Sequence, residues 1–123
     1  MNRIMIVEDR ESISGIIRDM LILNGFEVVA EASNGSEALR LFNEKRPGVV
    51  LMDLLLPDIN GLEVTRRILE IEPSTKVIAI TALAKEGLIE ESLKAGCTRF
   101  IMKPFRMREL VEVIKELHGG STR

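Results

Sequence analysis

Short β-branched apolar runs alternate with helical hydrophobic periods from one end of this chain to the other, and few folds accommodate that alternation. The runs are Ile4–Val7, Phe26–Ala30, Val49–Met52, Val77–Ile80 and Thr98–Met102. Between them the apolar residues recur at i, i+3, i+4 and i+7, the spacing of one buried helix face. Ile13, Ile16, Ile17, Met20 and Leu21 form the first such set. Ala38, Leu39 and Phe42 form the second, and Leu62, Thr65, Ile68 and Leu69 the third. Leu88, Ile89, Ser92 and Leu93 form a weaker fourth, and Met107, Leu110, Val111, Ile114 and Leu117 a strong fifth. Gly25 and Gly96 stand where helices end on a left-handed residue, and Pro47 and Pro73 follow helix ends. Strands alternating with helices require a parallel sheet covered on both faces. The expected fold is therefore α/β: a single doubly wound (βα)5 domain with a parallel five-stranded sheet and helices on both faces, for which 2-1-3-4-5, with strands 1 and 3 adjacent at the switch point, is one common strand order and the one adopted here. Residues 1–118 make up the domain. Residues 119–123 read as a flexible tail or the start of a linker.

The bulk numbers fit one such domain. A chain of 123 residues with 46% apolar and 29% charged residues buries a core without disulfide or metal staples. Net charge is −2 and no basic block stands out, which argues against direct nucleic-acid binding. No stretch approaches membrane-spanning length and no signal peptide precedes the first strand, so a cytoplasmic, soluble protein with no membrane partner is expected. The lone Cys97 excludes an internal disulfide and reads as a small buried hydrophobe. His118, in a last helical turn, favours a structural role. Asp58, after Pro57 and before Asn60-Gly61, reads as a turn residue.

In open parallel sheets, ligands bind outside the carboxyl ends of the strands at the switch point. The residues at those ends are therefore the ones to read. Glu8 and Asp9 follow the first strand, Asp53 ends the third, Thr81 the fourth, and Lys103-Pro104 the fifth. Asp53 lies inside "GVVLMDLLLPDING", an otherwise apolar segment, because there the strand emerges into the crevice. Three carboxylates so close repel: at ~4 Å and an effective dielectric near 20, each pair costs about 4 kcal/mol. Lys103 offsets only part of that. A divalent cation would offset the rest, and all-oxygen donors without His or Cys point to Mg²⁺ rather than zinc or copper. Metal plus lysine suits charge gathering on a transferring phosphoryl group. Asp53 is the candidate acceptor, since carboxylates form aspartyl-phosphates. Thr81 is placed to hydrogen-bond a phosphoryl oxygen.

These residues carry a family resemblance. "IVED" at 6–9, "LMDLLLPDINGLEV" at 51–64, "AITALA" at 79–84 and "FIMKPF" at 100–105 resemble the receiver domain of two-component response regulators. The likeness covers almost the whole chain, in order, with each motif at a strand end. It implies that Asp53 takes phosphate from the phosphohistidine of a sensor histidine kinase or a histidine phosphotransfer protein. It implies that Glu8, Asp9, Asp53 and the backbone carbonyl of Leu55 hold Mg²⁺, with Mn²⁺ as a substitute. Thr81 and Lys103 would bind the phosphoryl group, and the Lys103–Pro104 peptide is expected to be cis. Phe100 falls at the aromatic switch position that follows Thr81, where many members carry Tyr. The switched surface would be the face of the fourth helix, fifth strand and fifth helix, including Lys85, Glu86, Arg99 and Met107, which would engage a downstream protein target. Leu55 and Leu83 occupy the positions flanking the approach of a hydrolytic water, and neither orients one, so slow autodephosphorylation is expected. On this reading the protein is a signalling switch and not an enzyme.

The alternative is an aspartyl-nucleophile phosphohydrolase on a similar sheet. Dehalogenase-type phosphatases need a second acid two residues after the nucleophile, and here that position is Leu55. A flavin carrier is disfavoured by 3% aromatic content with no Trp or Tyr, and a P-loop enzyme by the absence of GxxxxGK[ST].

Overall fold

The computed structural model describes residues 3–82 and 85–119, with the side chain of His118 outside that description. The elements run β1 (Arg3–Val7), α1 (Glu11–Leu23), β2 (Glu27–Ala32), α2 (Gly35–Lys45), β3 (Val49–Asp53), α3 (Gly61–Ile71), β4 (Lys76–Thr81), α4 (Leu88–Lys94), β5 (Arg99–Met102) and α5 (Met107–Gly119). All neighbouring strands pair in parallel in the order β2-β1-β3-β4-β5, the common open-sheet order adopted above. The tail expected over 119–123 lies, beyond Gly119, outside the described residues.

The central strands are continuous apolar runs because both of their faces are covered. Met5, Val7, Val50, Met52, Val77 and Ala79 face one way, against Ala38 and Phe42 of α2, Val64 and Ile68 of α3, and Leu88 of α4. Ile4, Ile6, Val49, Leu51, Ile78, Ile80 and Ile101 face the other, against Ile17 and Leu21 of α1 and Leu110, Val111 and Ile114 of α5. Each such side chain contributes about 1.5–3 kcal/mol on leaving water, so the alternation of strand faces between two helical layers fixes the register.

Helix ends follow local chemistry. After α1 the amide of Gly25 donates to Ile22 O and that of Phe26 to Leu21 O, with Gly25 at φ +89°. The same pair of bonds closes α4, from Gly96 to Leu93 and from Cys97 to Ser92, with Gly96 at φ +107°. Both are Schellman caps, and the left-handed residue in each is the one without a Cβ. This explains why β2 begins at Glu27 and not at Phe26: the Phe26 amide is committed to the cap. The strand also runs past Ala30, because Glu31 and Ala32 continue the pairing with Ile6 and Val7.

Two helix faces differ from the spacing argument. In α1 the buried residues are Ser14, Ile17 and Leu21, while Ile16 is 58% exposed. Ser14 is accommodated on the buried face because its hydroxyl donates to Glu31 Oε1 at 2.7 Å. In α4 only Leu88 and Ser92 are buried, and Ile89 and Leu93 face outward. No helix among the described residues is long and apolar enough to cross a membrane.

Candidate phosphoacceptor and metal site

The C-terminal ends of β1, β3, β4 and β5 bring the expected side chains to one rim. Glu8 directly follows β1, its amide held by Ala32 O at 2.9 Å. Asp53 is the last residue of β3, opposite Ile80 of β4. Thr81 ends β4, fully buried, and its carbonyl accepts from the Lys103 amide at 2.8 Å. The Lys103–Pro104 peptide is cis.

Glu8 and Asp53 are both buried, at 4% and 6% exposure, and Asp9 is exposed beside them. Carboxylates so placed need partners. Lys103 Nζ lies 2.8 Å from Glu8 Oε1 and 3.3 Å from Asp53 Oδ2. The second oxygen of each acid accepts a backbone amide: Asp53 Oδ1 from Leu55 at 2.9 Å, and Glu8 Oε2 from Arg10 at 3.1 Å. Burial lowers the Lys103 pKa, but the Glu8 hydrogen bond and the charges of Asp53 and Glu8 outweigh it and hold the ammonium above its ordinary value. One ammonium thus serves two buried acids.

Asp9 brings a third carboxylate, so the rim carries excess negative charge. Oxygens of Glu8, Asp9 and Asp53 all lie within 4.8 Å of one another. Three carboxylates with no imidazole or thiolate form a hard-donor set that fits Mg²⁺. Cys97 plays no part: it is buried elsewhere, and burial first of all pushes its thiol up to about 11. Such a thiol is inert.

Some features were not legible in the sequence. A cavity of about 580 Å³ opens beside Asp53 and Lys103, walled by Ile13, Ile16, Phe105 and Met107. Met107, expected on the face of the fourth helix, fifth strand and fifth helix, is half-buried at the start of α5 and lines this groove. Lys85, Glu86 and Arg99 are exposed, and Arg99 pairs with Glu116 of α5 at 3.0 Å. Phe100 is half-buried against the layer of α2, α3 and α4. Leu55 is 52% exposed at the groove, and Leu83 lies outside the described residues. Asp58 does more than turn the chain: both of its oxygens reach the start of α2. The Gly35 amide first, then those of Ser36 and Ile59, hold its carboxyl far below the usual carboxylate range. A depressed carboxyl contributes its stability above the ordinary value of 3.8 and loses it only in stronger acid.

Fold and rim together define a doubly wound α/β domain with an acidic, oxygen-donor cleft at the switch point of its sheet. Its sequence matches the family model described as "Response regulator receiver domain" over residues 4–115, and the chain belongs to that family, the receiver module of two-component signalling. It is 34% identical to the chemotaxis protein CheY of Thermotoga maritima over 115 residues, 94% of this chain and 96% of that one. It is 39% identical to the polar-differentiation response regulator DivK of Brucella anthropi over 120 residues, 96% of this chain and 97% of that one. Among solved structures, the CheY-like receiver domain protein from Methanospirillum hungatei superposes with a TM-score of 0.90 at 32% identity, covering 98% of this chain and 96% of that one.

Proposed function

We propose that this domain is a phosphorylation-controlled binding switch in which Asp53 accepts phosphate from a phosphohistidine on a sensor kinase or phosphotransfer protein. One observation carries the reading: a strand-end carboxylate held between Lys103 and a backbone amide, with Glu8 and Asp9 in reach of a shared cation. An Asp53 oxygen attacks phosphorus, the P–N bond breaks, and its electron pair returns to the imidazole. Lys103 is near enough to Asp53 to neutralise charge on the incoming phosphoryl oxygens, and the Thr81 hydroxyl accepts the role of hydrogen-bonding one of them. Glu8, Asp9, Asp53 and the Leu55 carbonyl would hold Mg²⁺, or Mn²⁺ in its place, which supplies further charge neutralisation. A phosphohydrolase is not favoured, since Leu55 stands where a second acid is needed.

The apolar groove beside Asp53 suits the donor. Phosphorus must come within bonding distance of Asp53, so the donor's surface around its phosphohistidine has to lie against the adjoining wall. Ile13, Ile16, Phe105 and Met107 offer that surface an apolar wall continuous with the site. The output runs the other way. Phosphate draws Thr81 inward, Phe100 follows into the layer it already half-fills, and the face bearing Lys85, Glu86 and Arg99 changes for a downstream protein target. Nucleic acid and membrane play no direct part, and a cytoplasmic setting follows.

Beryllofluoride with Mg²⁺ provides the test. Backbone amide shifts should move around Asp53, Thr81 and Lys103 and also at Phe100 and Arg99. Perturbation confined to the metal loops would leave the switch without support.

Loss of phosphate should be slow. Water must approach in line, and positioning is a large share of any phosphoryl-transfer rate. Leu55, exposed at the cleft, cannot orient that water. Leu55→Asn is expected to shorten the lifetime of the phosphorylated state several-fold with little change in Mg²⁺ affinity, followed by decay of the labelled protein. An unchanged lifetime would make Leu55 a bystander.

A further inference from the structure

The loop between β3 and α3 is anchored at both ends. Leu54 is buried, with its amide on Ile80 O at 3.0 Å, and Gly61 donates to Leu54 O at 3.2 Å. Gly61 sits so close to the chain that a Cβ there would lie 2.6 Å from Asp53 O. Between these anchors Leu55, Pro57 and Asp58 are exposed. Among the described residues, only Asp58 makes hydrogen bonds from 55–60 to a different helix.

Those bonds are numerous. Asp58 Oδ1 accepts from the Gly35 amide at 2.7 Å and from the Ile59 amide at 2.8 Å. Asp58 Oδ2 accepts from the Ser36 amide and the Ser36 hydroxyl, each at 3.0 Å. Gly35 and Ser36 are the first two residues of α2, and the Asn34 side chain caps the third amide, that of Glu37, at 2.9 Å. A carboxylate from another element therefore completes the cap that Asn34 begins. The approach is tight by construction. A Cβ on Gly35 would stand 2.9 Å from Val64 Cγ2, 3.0 Å from Ile59 Cβ and 3.3 Å from Asp58 Oδ1. Only glycine lets the loop and the helix come this close.

We propose that Asp58 is a positioning residue for the metal site: by stapling the loop that carries Leu55 to the rigid start of α2, it holds the Leu55 carbonyl in place for Mg²⁺. The inference rests on the metal reading above. Charge-assisted bonds from several amides to one carboxylate fix a loop more firmly than neutral ones. Partners one layer behind a metal's ligands commonly matter to affinity by an order of magnitude.

The test compares three variants by Mg²⁺ titration, read from backbone amide shifts. Asp58→Ala should weaken Mg²⁺ about tenfold and expose the Gly35 and Ser36 amides to faster hydrogen exchange. Asp58→Asn keeps one acceptor oxygen and should fall between Asp58→Ala and the wild type, which preserves the test if the alanine variant does not fold. Asn34→Ala loosens the same helix end without touching the loop, and should lower the melting temperature while leaving Mg²⁺ affinity within about twofold of wild type. Wild-type affinity in the Asp58 variants, or an equal loss in Asn34→Ala, would overturn the staple and reduce Asp58 to a helix cap. A wild type that binds no Mg²⁺ at Asp53 would instead sink the metal reading, and the staple's role with it.

Discussion

Asp53→Asn is expected to take up no phosphate from acetyl phosphate or a phosphorylated kinase, while keeping the fold. The substitution is nearly isosteric, and the amide oxygen can still accept from the Leu55 amide as Asp53 Oδ1 does at 2.9 Å. What it removes is chemical. A neutral amide is a poor nucleophile toward phosphorus, and it withdraws one of the three negative donors that gather within 4.8 Å. Uptake should fall to background, and chelating Mg²⁺ should do the same to the wild type. Radiolabel or a mass shift of intact protein would read both. Stable labelling of Asp53→Asn would move the acceptor elsewhere.

Lys103→Met should cost the metal-free protein heavily in stability. Glu8 and Asp53 are buried and share this one ammonium, at 2.8 and 3.3 Å. Removing one partner of a buried pair costs about 3–5 kcal/mol, and the 23% exposure of the Lys103 side chain brings the expected loss to about 2–3 kcal/mol. For a domain of this size the melting temperature should drop by roughly 10 °C. Mg²⁺ should restore part of the loss, because a ligand that binds only the folded state stabilises it and here replaces the missing positive charge. The pH dependence has a definite sign. The folded-state pKa of Lys103 is raised above 10.5, so its contribution is complete at neutral pH and is lost only as alkaline titration passes that folded value. Above that range wild type and variant should converge. Calorimetry with and without Mg²⁺, and at neutral and alkaline pH, measures all three effects. An unchanged melting temperature would mean that the two acids do not depend on Lys103.

Alternating periods in the sequence determined the fold, because period 2 and period 3.6 are local properties that neighbouring residues impose on each other. The strand-end acids were legible for a related reason. A charged residue closing an apolar run marks where a strand leaves the core, and in a parallel sheet all such ends lie on one rim. Glu8, Asp53 and Lys103 follow from that rule, and the uncharged Thr81 from its place at the end of β4. Tertiary structure decided what the rule cannot reach. That Lys103 divides itself between Glu8, 95 residues away, and Asp53, 50 residues away, depends on packing between strands distant in the chain. Which apolar residues of α1 face the sheet depended on the angle at which the helix docks: Ser14 turned inward to Glu31, and Ile16 was left to the groove beside Asp53. Asp58 looked like a turn residue because its local neighbours are turn residues, and its partners at Gly35 and Ser36 lie 23 and 22 residues earlier. A sequence specifies period and chemistry residue by residue, but a hydrogen bond between elements exists only once the core has brought them within about 3 Å.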